Sequence, residues 1–214
     1  MVHAQNHTNS PPSSFLTPIP HPFFHTHRSE IEKMMAVVIR GDATVKADVE
    51  AAFAQIEDVD LVVSTIGGTP ADPTADSTGN INLIEAAATK GVRKFVLVTS
   101  IGCGDSRAAP PQPVYDVLQP VLVEKDKAEA ALKASGMAYT IIRPGGLANG
   151  PATGSAVLTA DSGVCGAVQR EDAAALIVKA ALKGVADNKV LSVVDTAQLF
   201  AKDGVVPAVE AFVV

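Results

Sequence analysis

The side chains able to do chemistry in this sequence gather where short apolar runs end. Met35-Ala-Val-Val-Ile39 leads into Arg40-Gly41-Asp42, and Asp60-Leu-Val-Val-Ser-Thr-Ile66 leads into Gly67-Gly68. Arg93-Lys-Phe-Val-Leu-Val-Thr99 leads into Ser100-Ile101-Gly102, and Ala138–Ile142 leads into Arg143-Pro144-Gly145-Gly146. Glycine at such a junction lets a ligand approach backbone N–H groups with no Cβ in the way. A single glycine need do no more than end a strand, but polar or glycine-rich junctions in series describe a continuous cleft. Lys125 sits among Glu124, Asp126, Lys127 and Glu129, a setting that on spacing alone describes a solvated helix. Ala128, Ala131 and Leu132 would nonetheless let its stem pack while the ammonium reaches a cleft.

Other reactive residue types carry less. All five histidines (His3, His7, His21, His25 and His27) precede residue 28. His25 and His27 form the best-spaced metal pair, but no Cys or carboxylate accompanies them and no metal is expected. Cys103 and Cys165 have no CxxC spacing, which argues against a disulfide framework and for a reducing compartment. Cys103, close to Ser100, reads as a small inert residue rather than a redox thiol.

The elements that must position these residues follow from periodicity. The apolar runs read as strands, with a fifth over Val190–Val194. Helical periods cover 46–57 (Val49, Ala52, Phe53 and Ile56 on one face), Asp76 to Thr89 ended by Gly91, a stretch strongest over Glu124–Ala134, and Glu171–Leu182. Residues 102–113, with Pro110, Pro111 and Pro113, read as a loop, and 147–169 as a loop with short strand pieces. Strand and helix alternate, with Gly or Pro after each strand. That is the pattern of an α/β fold with a doubly wound parallel sheet, which binds ligands off the carboxyl ends of its strands.

Composition agrees. The chain has 214 residues, 47% hydrophobic but only 4% aromatic, so Ala, Val, Ile and Leu build the core. A net charge of −6 supplies no basic stripe for nucleic acid. No apolar run approaches the roughly 20 residues that span a bilayer. Residues 1–30, rich in Pro and without an acidic residue before Glu30, read as a disordered or loosely packed leader; 35–214 read as one domain. The leader's Ser/Thr-rich, acid-poor makeup leaves two locations open, the cytoplasm or, if it is a transit peptide, the chloroplast.

In fixed order, Arg40-Gly41-Asp42, Val62–Gly68, Gly79–Ala87, Phe95–Ser100, Lys125-x-x-Ala128-Glu129, Ile142–Gly146 and Gln169–Ala174 resemble the atypical short-chain dehydrogenase/reductases. NmrA-like and biliverdin-reductase-like members are the most similar, over about residues 35–195. The resemblance implies a Rossmann-like fold that binds NADP or NAD and a small-molecule substrate. It also implies roles: Asp42 near the adenine, Gly67 and Gly68 beside the adenosine ribose and pyrophosphate, and Thr99 and Ser100 facing the nicotinamide. Ser100 would donate to a substrate carbonyl, Lys125 would hold the nicotinamide ribose, and Pro144, Gly145 and Gly146 would border the carboxamide.

Two departures qualify it. The superfamily's catalytic Tyr, four residues before the Lys, is Val121 here, and Tyr115 would reach the cleft only if its loop folds back. The family's opening strand, Gly-x-x-Gly-x-x-Gly turn, helix and second strand are absent, since the first glycine is Gly41. The fold is thus expected to be N-terminally truncated, with Met35–Ile39 sliding in beside 60–65. Phosphate hydrogen bonds worth about 1.5–3 kcal/mol each would be missing and dinucleotide binding weakened. If active, the protein would reduce a carbonyl or conjugated double bond; the alternative is a non-catalytic regulatory or scaffold protein with a protein partner and a degenerate dinucleotide site.

Overall fold

The computed structural model describes residues 33–34, 36–201 and 204–214. The expected leader (1–30) and the His25/His27 pair lie outside the described residues. From residue 46 to residue 144 strands and helices alternate. The elements are α1 (Lys46–Ala54), β1 (Leu61–Ser64), a π-helical turn (Ala75–Gly79) running into α2 (Asn80–Lys90), and β2 (Lys94–Val98). A 3-10 turn (Gly104–Ser106), α3 (Gln112–Ala134), β3 (Ala138–Pro144), β4 (Gly146–Ala148), β5 (Ala156–Thr159), β6 (Ala167–Gln169), α4 (Arg170–Leu182) and β7 (Lys189–Asp195) complete it.

The main sheet has the order β1-β2-β3-β7-β5. β1, β2, β3 and β7 are mutually parallel, while β5 pairs antiparallel with β7. The expected parallel sheet therefore carries one antiparallel edge, a common arrangement in large mixed sheets. On one face α1, α2 and α3 bury Val49, Phe53, Leu83, Ala87, Ala128 and Leu132 against Phe95, Leu97 and Ile141. On the other, Ala173, Ile177 and Ala180 of α4 pack on Val96, Ile142, Leu191 and Val193. Small alanine faces let these helices sit close to β-branched strands, as the composition required.

Three expectations are corrected. The strand expected over Met35–Ile39 is not formed by its described residues: 36–42 are coil, and β1 is the end of the sheet. A groove of about 560 Å³ is lined by Val37 and Ile39 together with Leu61, Val62 and Val63. Among the described residues no ladder closes the slot, although the outer edge of β1 is free to accept one. α1 stops at Ala54, so Ile56 falls outside it and is 42% exposed. α3 starts at Gln112, inside the expected loop 102–113, with Pro113 in the first turn, where a missing N–H is harmless. Elsewhere the boundaries moved by a few residues, and Gly91 (φ 80°) caps α2 with N–H bonds to Ala87 and Ala88, as its position demanded.

Candidate functional site

Parallel registry sets Ser64–Gly68, Thr99–Gly102, Arg143–Gly146 and Asp195 at the carboxyl ends of neighbouring strands along one edge. Two charged clusters organise it, both hung on α3.

The first surrounds Lys125. This residue lies just past the middle of α3 and is not a solvated charge: its side chain is 14% exposed, and its Nζ donates to Asp76 Oδ1 at 2.5 Å. Asp76, 1% exposed, comes from the π-helical turn; its Oδ2 accepts the Gly68 N–H at 2.9 Å. A Cβ on Gly67 would lie 2.9 Å from Asp76 Oδ1 and 3.2 Å from Lys125 Nζ. The glycine therefore gives the pair its room. Asn80 ties the turn to β1: its Nδ2 donates to the Asp76 carbonyl at 3.0 Å, and its Oδ1 accepts the Ser64 hydroxyl at 2.6 Å.

The second cluster is one helical turn further along α3. Glu129 receives Arg143 Nε (3.0 Å) and Nη2 (2.7 Å) and the Thr99 hydroxyl (2.8 Å). Arg143, 2% exposed, also donates to Asp105. Burial works against its charge, but its hydrogen bonds to Glu129 and Asp105 more than offset this and raise its pKa. Arg143 in turn holds Asp105 below the usual carboxylate range. Asp126 accepts the Gly104 N–H at 2.8 Å, so α3 also fixes the loop after β2.

The site residues expected from sequence are only partly brought together. Gly67, Gly68 and Lys125 converge. Thr99 is buried and turned to Glu129, and Ser100, half-buried, donates to the Ile101 carbonyl at 2.9 Å. Asp42 is engaged in its own turn, accepting the Thr44 N–H and hydroxyl. The Pro144 carbonyl accepts the Ile101 N–H, and the Gly145 N–H donates to Val193. Gly145 is needed there by the protein itself, since a Cβ would meet the Gly166 carbonyl oxygen at 2.2 Å. Tyr115 belongs to α3 rather than to a loop, so it cannot fold back; ten residues of helix put it about 15 Å along the axis from Lys125. Val121 is buried.

Sequence reasoning missed Asp76, Glu129 and Arg143 as members of the site. The signals were Lys125 and Glu129 at i, i+4 on one face, and Asp76 and Asn80 at the same spacing.

Two predictions arise here. Burial pushes the Cys103 thiol up to about 12, with the Glu129 and Asp126 charges adding to it, and burial also raises Cys165. Neither thiol should react with iodoacetamide in the folded protein, while both should once it is denatured; rapid native labelling would contradict the buried placement. At the end of β7, Asp195 accepts the hydroxyls of Ser155 and Thr153, the Ala197 N–H and Gln198 Nε2. Burial opposes its ionisation, yet these bonds lower its pKa from 3.8 to about 2. A depressed carboxylate stabilises the fold above its unfolded pKa and loses that contribution as pH falls through the folded one. Urea unfolding should show stability falling from near pH 3.8 to about 2, with a shallower fall in Asp195→Asn.

A family profile described as NAD(P)H-binding matches residues 25–183. ChuY, an anaerobillin reductase from Escherichia coli O157:H7, is 33% identical, with a TM-score of 0.70 over 78% of this chain and 79% of that one. An uncharacterized chloroplastic protein of Arabidopsis thaliana is 37% identical over 58% of this chain and 46% of its own length. An uncharacterized sugar epimerase of Bacillus subtilis, YhfK, is 34% identical over 64% of this chain and 63% of its own. The chain thus spans from about half to under two thirds of these two relatives' length. No helix among the described residues is long and apolar enough to cross a membrane.

Proposed function

Because the chain belongs to the NAD(P)H-binding family of atypical short-chain dehydrogenase/reductases, we propose that its strand-end edge binds NADPH or NADH and reduces a carbonyl or conjugated double bond of a small molecule. The observation that carries this reading is Lys125, held against the Gly67–Gly68 turn by a buried carboxylate. Among the described residues Asp76 is the ammonium's one hydrogen-bond partner, which leaves donors for ligand hydroxyls. Gly67, Gly68 and Lys125 fit a dinucleotide's ribose side, and Pro144, Gly145 and Gly146 are proposed to border the nicotinamide. Asp42 is the proposed adenine-side residue, and Thr99 positions β2's end through Glu129.

Bound there, the reduced nicotinamide would supply a hydride. Ser100 would turn its hydroxyl from the Ile101 carbonyl to the acceptor oxygen and stabilise developing charge. The proton that completes reduction must come from water or Ser100, since Val121 has none to give. The resemblance to ChuY, an anaerobillin reductase, supports reduction as the reaction. The chloroplastic Arabidopsis relative favours the plastid over the cytoplasm, which import of a reporter carrying residues 1–32 checks.

A titration of NADPH fluorescence tests the reading. Saturable binding is expected, weakened about ten- to hundredfold in Lys125→Met, the loss of charged hydrogen bonds worth about 1.5–3 kcal/mol; equal binding by both proteins would contradict it. A second reading, a dinucleotide-responsive protein that acts through a protein partner without turnover, is favoured by one observation: the hydrophobic Val121 stands where a phenol would donate.

A further inference from the structure

We propose that Asp76 is a positioning residue that sets what Lys125 recognises, a role resting on the dinucleotide reading above. A carboxylate excluded from water is unfavourable unless it is paired and hydrogen-bonded. Asp76 meets both conditions, with one oxygen on Lys125 and the other on the Gly68 N–H. An asparagine would serve the Gly68 N–H equally well. What the carboxylate adds is a negative charge facing the ammonium.

That charge has two consequences. It pins a long, flexible side chain in one place, over Gly67, so that its remaining N–H groups are aimed before a ligand arrives. It also neutralises the ammonium, so the pair as a unit has no net charge to offer an anion. Such a pair suits uncharged vicinal hydroxyls, as on a ribose, better than a phosphate group. The local fold holds the carboxylate itself in place: Asn80 grips the Asp76 carbonyl and β1 together, and Ser77, the next residue, bonds Glu124 beside Lys125.

The experiment is a double-mutant cycle on NADPH affinity with Asp76→Asn, Lys125→Met and the double variant, each confirmed folded by circular dichroism. In parallel, lysine acylation by an acetyl N-hydroxysuccinimide ester is read by peptide mass spectrometry. Asp76→Asn should weaken NADPH about tenfold in the wild-type background and less than about twofold in the Lys125→Met background, because the two act as one unit. It should also raise acylation of Lys125 severalfold relative to exposed Lys133. An equal loss in both backgrounds would show a merely structural role and overturn the proposal, as would unchanged Lys125 acylation. If the wild-type protein binds no NADPH, the dinucleotide reading fails, and the acylation ratio alone then decides whether Asp76 positions Lys125.

Discussion

Replacing Arg143 with methionine is expected to lower the unfolding free energy by about 3–5 kcal/mol, among the largest effects of any single substitution in this protein. The guanidinium is 2% exposed and Glu129 is 3% exposed, joined through Nε and Nη2 in a two-pronged contact. Methionine would fill much of the volume but leave the Glu129 carboxylate in the interior with only the Thr99 hydroxyl and Lys133, whose Nζ is 3.6 Å away. An uncompensated buried charge, rather than a lost contact, sets the size of the effect. Replacing both partners, as in Arg143→Met with Glu129→Leu, should therefore recover a large part of the loss. Urea denaturation of the two single variants and the double variant measures this. A double variant as unstable as the sum of the singles would show that the pair contributes more than the removal of an orphaned charge.

The second large effect is expected from a single methyl group. In Gly68→Ala the new Cβ would meet the Asp72 carbonyl oxygen at 2.2 Å and Pro73 Cα at 2.9 Å, both backbone atoms. Side-chain repacking cannot relieve such a contact, so the chain from Gly68 to Pro73 must open. Thr69 and Asp72 exchange two backbone hydrogen bonds across that turn, and the Gly68 N–H holds Asp76. Overpacking of this kind costs about 1–3 kcal/mol. Because the same displacement releases Asp76 and with it Lys125, NADPH affinity should fall at least about tenfold. Gly146→Ala is the control: its nearest neighbour would be 3.9 Å away, and stability should stay within about 0.5 kcal/mol of wild type.

These two sites show where the sequence was legible and where it was not. The alternation of apolar runs and helical periods announced the sheet and its helices, because burial leaves a period that survives in any well-covered strand. It failed at Met35–Ile39, where residues 36–39 look like a strand yet lie unpaired beside the free edge of β1; sequence records a segment's preference, not whether a ladder forms. It also failed at the start of α3, where Pro113 reads as a helix breaker until its place in the first turn is known. Lys125 was found through a motif, against what spacing alone suggested. Four charged neighbours suggested solvent, whereas the ammonium is taken up by Asp76, 49 residues away in the chain. The helix from Asp76 was read from its period, but not the π-helical first turn from which Asp76 reaches Lys125. Arg143 was noted as part of a strand end, but its partner Glu129 looked like one more surface acid. The glycines divide by cause: Gly67 makes room for a charged pair, while Gly145 makes room for the Gly166 backbone.

The central proposal is that a dinucleotide binds at the edge formed by the ends of β1, β2 and β3. Backbone amide shifts of ¹⁵N-labelled protein titrated with NADPH test it most directly. The account predicts that the largest changes fall on Gly67, Gly68, Ser100 and Gly146, and that they shrink in Lys125→Met. Changes confined to residues around the groove beside β1, such as Val37, Ile56 and Val62, with the strand-end amides unmoved, would contradict it.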